Sequence, residues 1–139
     1  MTDGFATLLS SMYNIYHEAS LRMGLSDAEH ITLYILCHSG GVCDKSELYK
    51  RSGLTRMALA TALNKLQSDE CITVSRNPDK SVTVSLTEKG ADFSDQTVKK
   101  IMDIEKEVLT SWNEKDRRAI IELCDRYLNQ IREKVQDIK

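Results

Sequence analysis

The chain has 139 residues, 41% hydrophobic and 29% charged, with 19 Lys and Arg against 21 Asp and Glu, for a formal net charge of −2. That length suits one domain that buries about two-thirds of the surface its unfolded form exposes, so folding requires neither disulfides nor a structural metal. The apolar fraction excludes a wholly disordered chain, and no stretch reaches the roughly 20 apolar residues of a bilayer span. Taken alone, the slightly acidic total argues against nucleic acid.

Met1-Thr-Asp-Gly-Phe5 carries no basic run ahead of an apolar core, which predicts no secretory signal and a cytoplasmic protein. Phe5, Leu8, Leu9, Met12, Tyr16, Ala19 and Met23 recur at spacings of three and four, the period of one helix face. That first helix is expected to stop near Gly24. Ser26-Asp-Ala-Glu29 has capping-box spacing and predicts a second helix, running to Gly40-Gly41 and burying Ile31, Ile35 and a neighbour or two. Asp44-Lys-Ser-Glu47 repeats the arrangement and opens a short helix over 45–52, closed by Gly53. Thr55 then caps a fourth helix whose apolar line is Leu59, Leu63 and Leu66.

After Cys71 the period falls to two. Ile72-Thr-Val-Ser-Arg76 and Ser81-Val-Thr-Val-Ser-Leu86 flank the turn formers Asn77-Pro-Asp-Lys80, which predicts a β-hairpin. Thr87 is placed to cap a helix presenting Ile101, Ile104, Val108 and Trp112. Asn113 caps a last one presenting Ile120, Leu123, Cys124, Tyr127, Ile131, Val135 and Ile138.

Helix, tight turn, helix, hairpin is the order of a winged helix-turn-helix, in which the second helix of the pair enters the DNA major groove. The fold class expected is mainly α with a small β-hairpin wing. Its DNA-binding part spans residues 44–90 of a single domain over 1–139, flanked by N-terminal helices (5–43) and C-terminal dimerisation helices (91–139). The charge follows this division. Lys45 to Gly90 holds eight bases against five acids, a balance of +3, while residues 1–44 carry −4 and residues 91–139 carry −1. Positive charge is concentrated in the segment whose topology would meet phosphates.

Glu47-Leu-Tyr-Lys-Arg-Ser-Gly-Leu-Thr55, the following residues from Met57 to Leu66, and Val84-Ser-Leu-Thr-Glu-Lys-Gly90 together resemble the MarR family of winged-helix regulators. The last phrase is similar to the V-x-L-T-x-x-G that ends the family's wing. The resemblance spans essentially the whole chain. It implies a cytoplasmic, homodimeric transcription factor, usually a repressor, released from a palindromic operator by a small-molecule effector or by oxidation. The chain departs from the family's pattern at several places. Pro78 and Lys80 stand where the wing tip has Asp and Arg, Glu70 stands where a glycine follows the recognition helix, and Tyr49 replaces a small residue.

The candidate DNA contacts are Thr55, Arg56, Met57, Thr61, Asn64 and Lys65 on the fourth helix, with Arg76 and Lys80 on the wing. Arg can fork onto guanine or phosphate, Asn can bond a base edge, and Met or Thr can touch a thymine methyl. Each of these also fits an ordinary solvated face. In proteins of the resembled family a ligand site lies between the dimer helices and the winged part, which makes Met12, Tyr13, His17, His30 and Tyr34 candidate effector contacts. Side chains of these types at helical spacing also suit plain packing.

Cys37, Cys43, Cys71 and Cys124 form no CxxC pair, so reduced thiols are expected. His30, Cys37, His38 and Cys43 match no closed four-ligand spacing, and neither metal nor cofactor is assigned. A redox switch at Cys37 or Cys71, a metal-responsive regulator, or a winged-helix protein-interaction module stand as alternatives. No Gly-rich phosphate loop, HExxH or G-x-S-x-G occurs, so an enzyme is not expected.

Overall fold

A computed structural model describes residues 4–139; of the N-terminal segment read for a secretory signal, residues 1–3 lie outside that range. Seven helices and three strands follow in the order α1 (Gly4–Met23), α2 (Asp27–His38), β1 (Val42–Asp44), α3 (Lys45–Ser52), α4 (Arg56–Ser68), β2 (Ile72–Arg76), β3 (Val82–Leu86), α5 (Glu88–Gln96), α6 (Val98–Thr110) and α7 (Glu114–Val135). This is a mainly helical winged helix-turn-helix. The chain divides into two compact units, one ending at Met102 and one running from Asp103 to Lys139.

Local signals start and stop the helices of the first unit. Ser26 Oγ accepts the Glu29 N–H at 3.1 Å and a Glu29 carboxylate oxygen accepts the Ser26 N–H at 3.0 Å, a complete capping box. Thr55 Oγ1 accepts from the Ala58 N–H at 3.1 Å, and Thr87 Oγ1 accepts from the Gly90 N–H at 2.9 Å. Asp44 departs from its expected role. It stands at the N-cap of α3 but makes no side-chain cap bond, because its carboxylate accepts the Ser46 hydroxyl at 2.8 Å.

The core forms around α2, which packs on α1, α3, α4 and α5. A helix surrounded on several sides must be apolar around much of its circumference. Leu33, Ile35 and Leu36 are buried, with His30 and Thr32, whereas Ile31 is only half-buried. Ile35 is thus buried as expected, with Leu33 and Leu36 as its buried neighbours, while Ile31 packs only at the edge of the core. Leu48 of α3 and Leu59, Leu63 and Leu66 of α4 meet them, together with Ile72, Val84 and Val98. Each such side chain is worth about 1.5–3 kcal/mol of burial.

The hairpin is antiparallel, pairing Ile72 with Leu86, Val74 with Val84 and Arg76 with Val82. A third strand, β1, which the sequence pattern does not announce, pairs with β3 through Cys43 and Val84, in the order β1-β3-β2. Three residues are too few to display an alternation, and their partners lie some forty positions away.

The expected single helix from Thr87 to Trp112 is instead two. Thr97 leaves helical geometry at φ −124° and ψ −95°. Its hydroxyl donates to the Phe93 carbonyl at 2.7 Å, while its N–H reaches only the Ser94 carbonyl, at 3.2 Å. Side-chain bonding back to the i−4 carbonyl bends helices. Val98, fully buried, begins α6.

In the second unit Asn113 caps α7 by accepting the Asp116 N–H at 2.8 Å. None of the α7 residues is buried; of the face predicted there Leu123, Cys124, Ile131 and Val135 are exposed and Ile120 is half-buried, and Ile121 and Leu128, outside that face, are exposed as well. Ile138, expected to extend that face, lies beyond the end of the helix.

Candidate nucleic-acid interface

The α3–α4 turn is built from its ends inwards. Gly53 terminates α3 at φ +69°, a left-handed conformation in which a side chain would be strained. Ser52 Oγ donates to the Tyr49 carbonyl and accepts the Leu54 N–H. Arg51 donates to Ser39 Oγ at 2.9 Å, tying the last turn of α3 to the end of α2.

Leu59, Leu63 and Leu66 face the core, and at about 100° per residue this turns Met57, Thr61 and Asn64 to the opposite side, within about 60° of arc. All three are exposed, Met57 at 80%. By the same rotation Lys65 lies about 40° beyond Thr61 on one side and Arg56, the first residue of the helix, about 80° beyond Asn64 on the other; both are exposed, as is the N-cap Thr55. Met57, Thr61 and Asn64 thus share one outward surface with Lys65 at its edge, while Arg56 and the N-cap Thr55 are exposed at the start of the helix, to one side of it.

Two of these bases are held by neighbours. Lys65 Nζ donates to Asp69 at 2.6 Å, an exposed i,i+4 pair that raises the Lys65 pKa through the hydrogen bond and the carboxylate charge. The Arg56 guanidinium lies over the Tyr49 ring, with Cζ 4.7 Å from the centroid. Tyr49 is one of the positions at which the chain departs from the resembled pattern. Its stacking on Arg56 was not legible, because the two sit on different helices across the Gly53 turn.

The other two candidates lie on the wing. Arg76 ends β2 and Lys80 ends the connecting turn, both exposed. The Lys80 N–H reaches the Asn77 carbonyl at 2.9 Å and the Asn77 N–H reaches the Ser81 carbonyl at 2.8 Å, with Lys80 at φ +71°. This is a turn followed by a left-handed residue, a position that glycine ordinarily favours. Asn77 also donates to Ser81 Oγ and Thr83 Oγ1, and Asp79 accepts both the N–H and the hydroxyl of Ser81, which holds the Asp79 carboxyl below its ordinary 3.8. The tip is therefore braced by side chains in place of a glycine.

The candidate effector residues fall into two sets. Tyr13 donates to Asp27 at 3.0 Å, His17 Nδ1 lies 2.8 Å from the same carboxylate oxygen, and the Tyr13 and His17 rings stack at 6.1 Å. Burial works against the Asp27 carboxylate, but hydrogen bonds from His17, Ser20 and Tyr13 outweigh it and hold the group below 3.8. The same contact, with the carboxylate charge, lifts the Tyr13 hydroxyl above its ordinary 10.0. In the second set His30 is buried, 2.7 Å from Ser20 Oγ, within a row of rings running Tyr16, His30, Tyr34, His38. Met12 is exposed on α1 and joins neither set. Asp27 organises the first group, and Ser20 and Tyr16 the second; none of the three is among the effector residues expected from the sequence.

An open concavity of about 840 Å³ lies elsewhere, between the end of α4, β2 and the start of α5. It contains none of the candidate effector residues.

His30, Cys37, His38 and Cys43 do not converge. Among the described residues no group of three or more His, Cys, Asp or Glu is placed to hold a metal ion. The four cysteines are free thiols, and burial pushes Cys37 and Cys71 above the ordinary 9.0. Among the described residues no helix is long and apolar enough to cross a membrane.

No protein-family model and no curated protein matches the chain. Solved structures do. A MarR family regulator from Neisseria meningitidis superposes with a TM-score of 0.83 at 14% identity, covering 96% of this chain and 95% of its own. A MarR family transcriptional regulator from Silicibacter pomeroyi gives 0.75 at 21% identity, covering 93% and 91%. BpsR from Bordetella bronchiseptica, described by the regulation of its DNA binding by 6-hydroxynicotinic acid, gives 0.67 at 20% identity, covering 88% and 96%. The chain has the fold of these transcriptional regulators over nearly its whole length.

Proposed function

We propose that the chain is a MarR-family transcriptional regulator, a homodimer that binds a palindromic operator as a repressor and is released by a small molecule. The single observation that carries the DNA-binding part is the outward surface of α4. Met57, Thr61 and Asn64 stand opposite the helix's own buried leucines, flanked by Arg56 and Lys65, within a segment of net charge +3. In a helix-turn-helix this face enters the major groove, with base-edge contacts from Arg and Asn and methyl contacts from Met and Thr. Thr55 adds the N–H groups of a helix start for a phosphate. Arg76 and Lys80 reach the adjacent backbone or minor groove from the wing.

Dimerisation is supported by apolar side chains left open on α1, among them Leu8, Leu9 and Ile15, and on α7, among them Leu128 and Ile131. Apolar surface in this amount marks an interface in a water-soluble protein. Two recognition helices related by a two-fold axis read half-sites about one DNA turn apart. Effector control is supported by the likeness to BpsR and by the Tyr13, His17 and Asp27 cluster, which offers a phenol, an imidazole and a carboxylate on α1 and at the start of α2.

Selection from a random-sequence duplex library, with sedimentation of the free protein, tests the proposal. A dimer that enriches an inverted repeat is expected. Equal binding of every duplex at moderate salt, or a monomer under the same conditions, would overturn it.

A further inference from the structure

Arg56 occupies the first position of α4, where the partial positive charge of the helix start disfavours a cation. It is exposed, and among the described residues it has no ion-pair partner. Lys65, by contrast, is paired with Asp69. What holds Arg56 is the face of Tyr49, 4.7 Å from its Cζ. Tyr49 is itself half-buried against the core, and its carbonyl accepts the Ser52 hydroxyl that shapes the turn between α3 and α4. The ring is thus a fixed platform. It attracts the guanidinium through its face and leaves the N–H edge uncommitted.

We infer that Tyr49 is a positioning residue for DNA binding: its ring fixes the Arg56 guanidinium so that the N–H fork is presented, already oriented, to a guanine edge or a phosphate. The inference rests on the proposal that α4 meets DNA. An arginine on a free stem loses rotamer freedom when it binds, and a stacked one has lost part of it beforehand. The ring carries no charge to the DNA, so its effect is on the affinity and not on the number of counterions released.

The test uses full-length protein and the duplex most enriched by the wild type from a random-sequence library. Tyr49→Phe keeps the π face, and Tyr49→Leu keeps apolar packing without it. Binding by Tyr49→Phe within twofold of wild type is expected, with Tyr49→Leu about three- to fivefold weaker at an unchanged salt slope. Arg56→Ala is expected to be weaker still, and Tyr49→Leu in the Arg56→Ala background to add no further loss. Ring-current shifts of the Arg56 side-chain protons, present in wild type and Tyr49→Phe and absent in Tyr49→Leu, report the stack without DNA.

Losses from the two substitutions that multiply, or Tyr49→Leu binding as wild type while Arg56→Ala does not, would overturn the inference and leave the DNA-binding proposal standing. Enrichment of no duplex by the wild type would overturn both.

Discussion

Gly90→Ala isolates a close approach that holds the wing's return to the helices. Gly90 is the third residue of α5, and its N–H is the one Thr87 caps. A Cβ at this position would overlap the Cys71 carbonyl oxygen and lie 2.7 Å from the carbonyl carbon, where ordinary contact is 3.4–4 Å. Both neighbours are backbone, so a gap of about 0.7 Å or more must open between α5 and the residue preceding β2. That same carbonyl accepts the Thr87 N–H at 3.0 Å, and the Thr87 hydroxyl donates to the Glu70 carbonyl at 2.6 Å. Overpacking costs about 1–3 kcal/mol and each weakened hydrogen bond about 1 kcal/mol, against about 1 kcal/mol returned by alanine's better helix propensity. A net loss of about 2–4 kcal/mol is expected in urea unfolding followed by far-ultraviolet circular dichroism. Gly53→Ala serves as the contrast, since nothing lies within 4 Å of its Cβ position and only the φ of +69° penalises it, by about 1–2 kcal/mol. A Gly90→Ala protein within 0.5 kcal/mol of wild type would refute the steric account.

Glu70 is the left-handed residue of a C-terminal cap in which its own N–H reaches the Gln67 carbonyl and the Cys71 N–H reaches that of Leu66, at φ +63°. Glu70→Gly should raise stability by about 0.5–1 kcal/mol in the same urea titration, and a loss would mean that the Glu70 side chain contributes more than its strain costs. Because hydrogen bonds hold the Asp27 carboxyl below 3.8 in the folded state, its contribution is complete above that value and is lost as pH falls through the lower folded value. Asp27→Asn should therefore unfold at a lower temperature than wild type at neutral pH, with the difference closing below pH 3.8; a constant difference across that range would contradict the assignment. On the wing, Lys80→Ala should weaken binding to selected and scrambled duplexes alike and shrink the log–log salt slope by about one, and an unchanged slope would remove the tip from the phosphate contacts.

The sequence was most legible where the interaction is local. The Ser26–Glu29 box and the Thr55, Thr87 and Asn113 caps join residues three apart, and each is present. The hairpin, the Gly53 stop and the buried line of Leu59, Leu63 and Leu66 follow from period and turn chemistry, and the outward surface of α4 follows from that line by rotation. Asp44 shows where local rules compete, since Ser46 takes the carboxylate that the spacing offered to the helix start. The break at Thr97 was hidden because no glycine or proline marks it, and the bond to the Phe93 carbonyl that accompanies it is a detail of the folded backbone.

Residue chemistry alone determined the fold class, the segregation of positive charge into residues 45–90 and the identity of the helix that faces outward, because all three depend on side chains close in sequence. Tertiary structure decided the rest. It added β1 to the wing, set Gly90 against the Cys71 carbonyl, gathered Tyr13 and His17 onto Asp27, and laid Arg56 over Tyr49. Apart from the pairing of Tyr13 with His17, which share a face of α1, these contacts join different elements. Their formation depends on how the core around α2 seats each element, and no spacing along the chain encodes that.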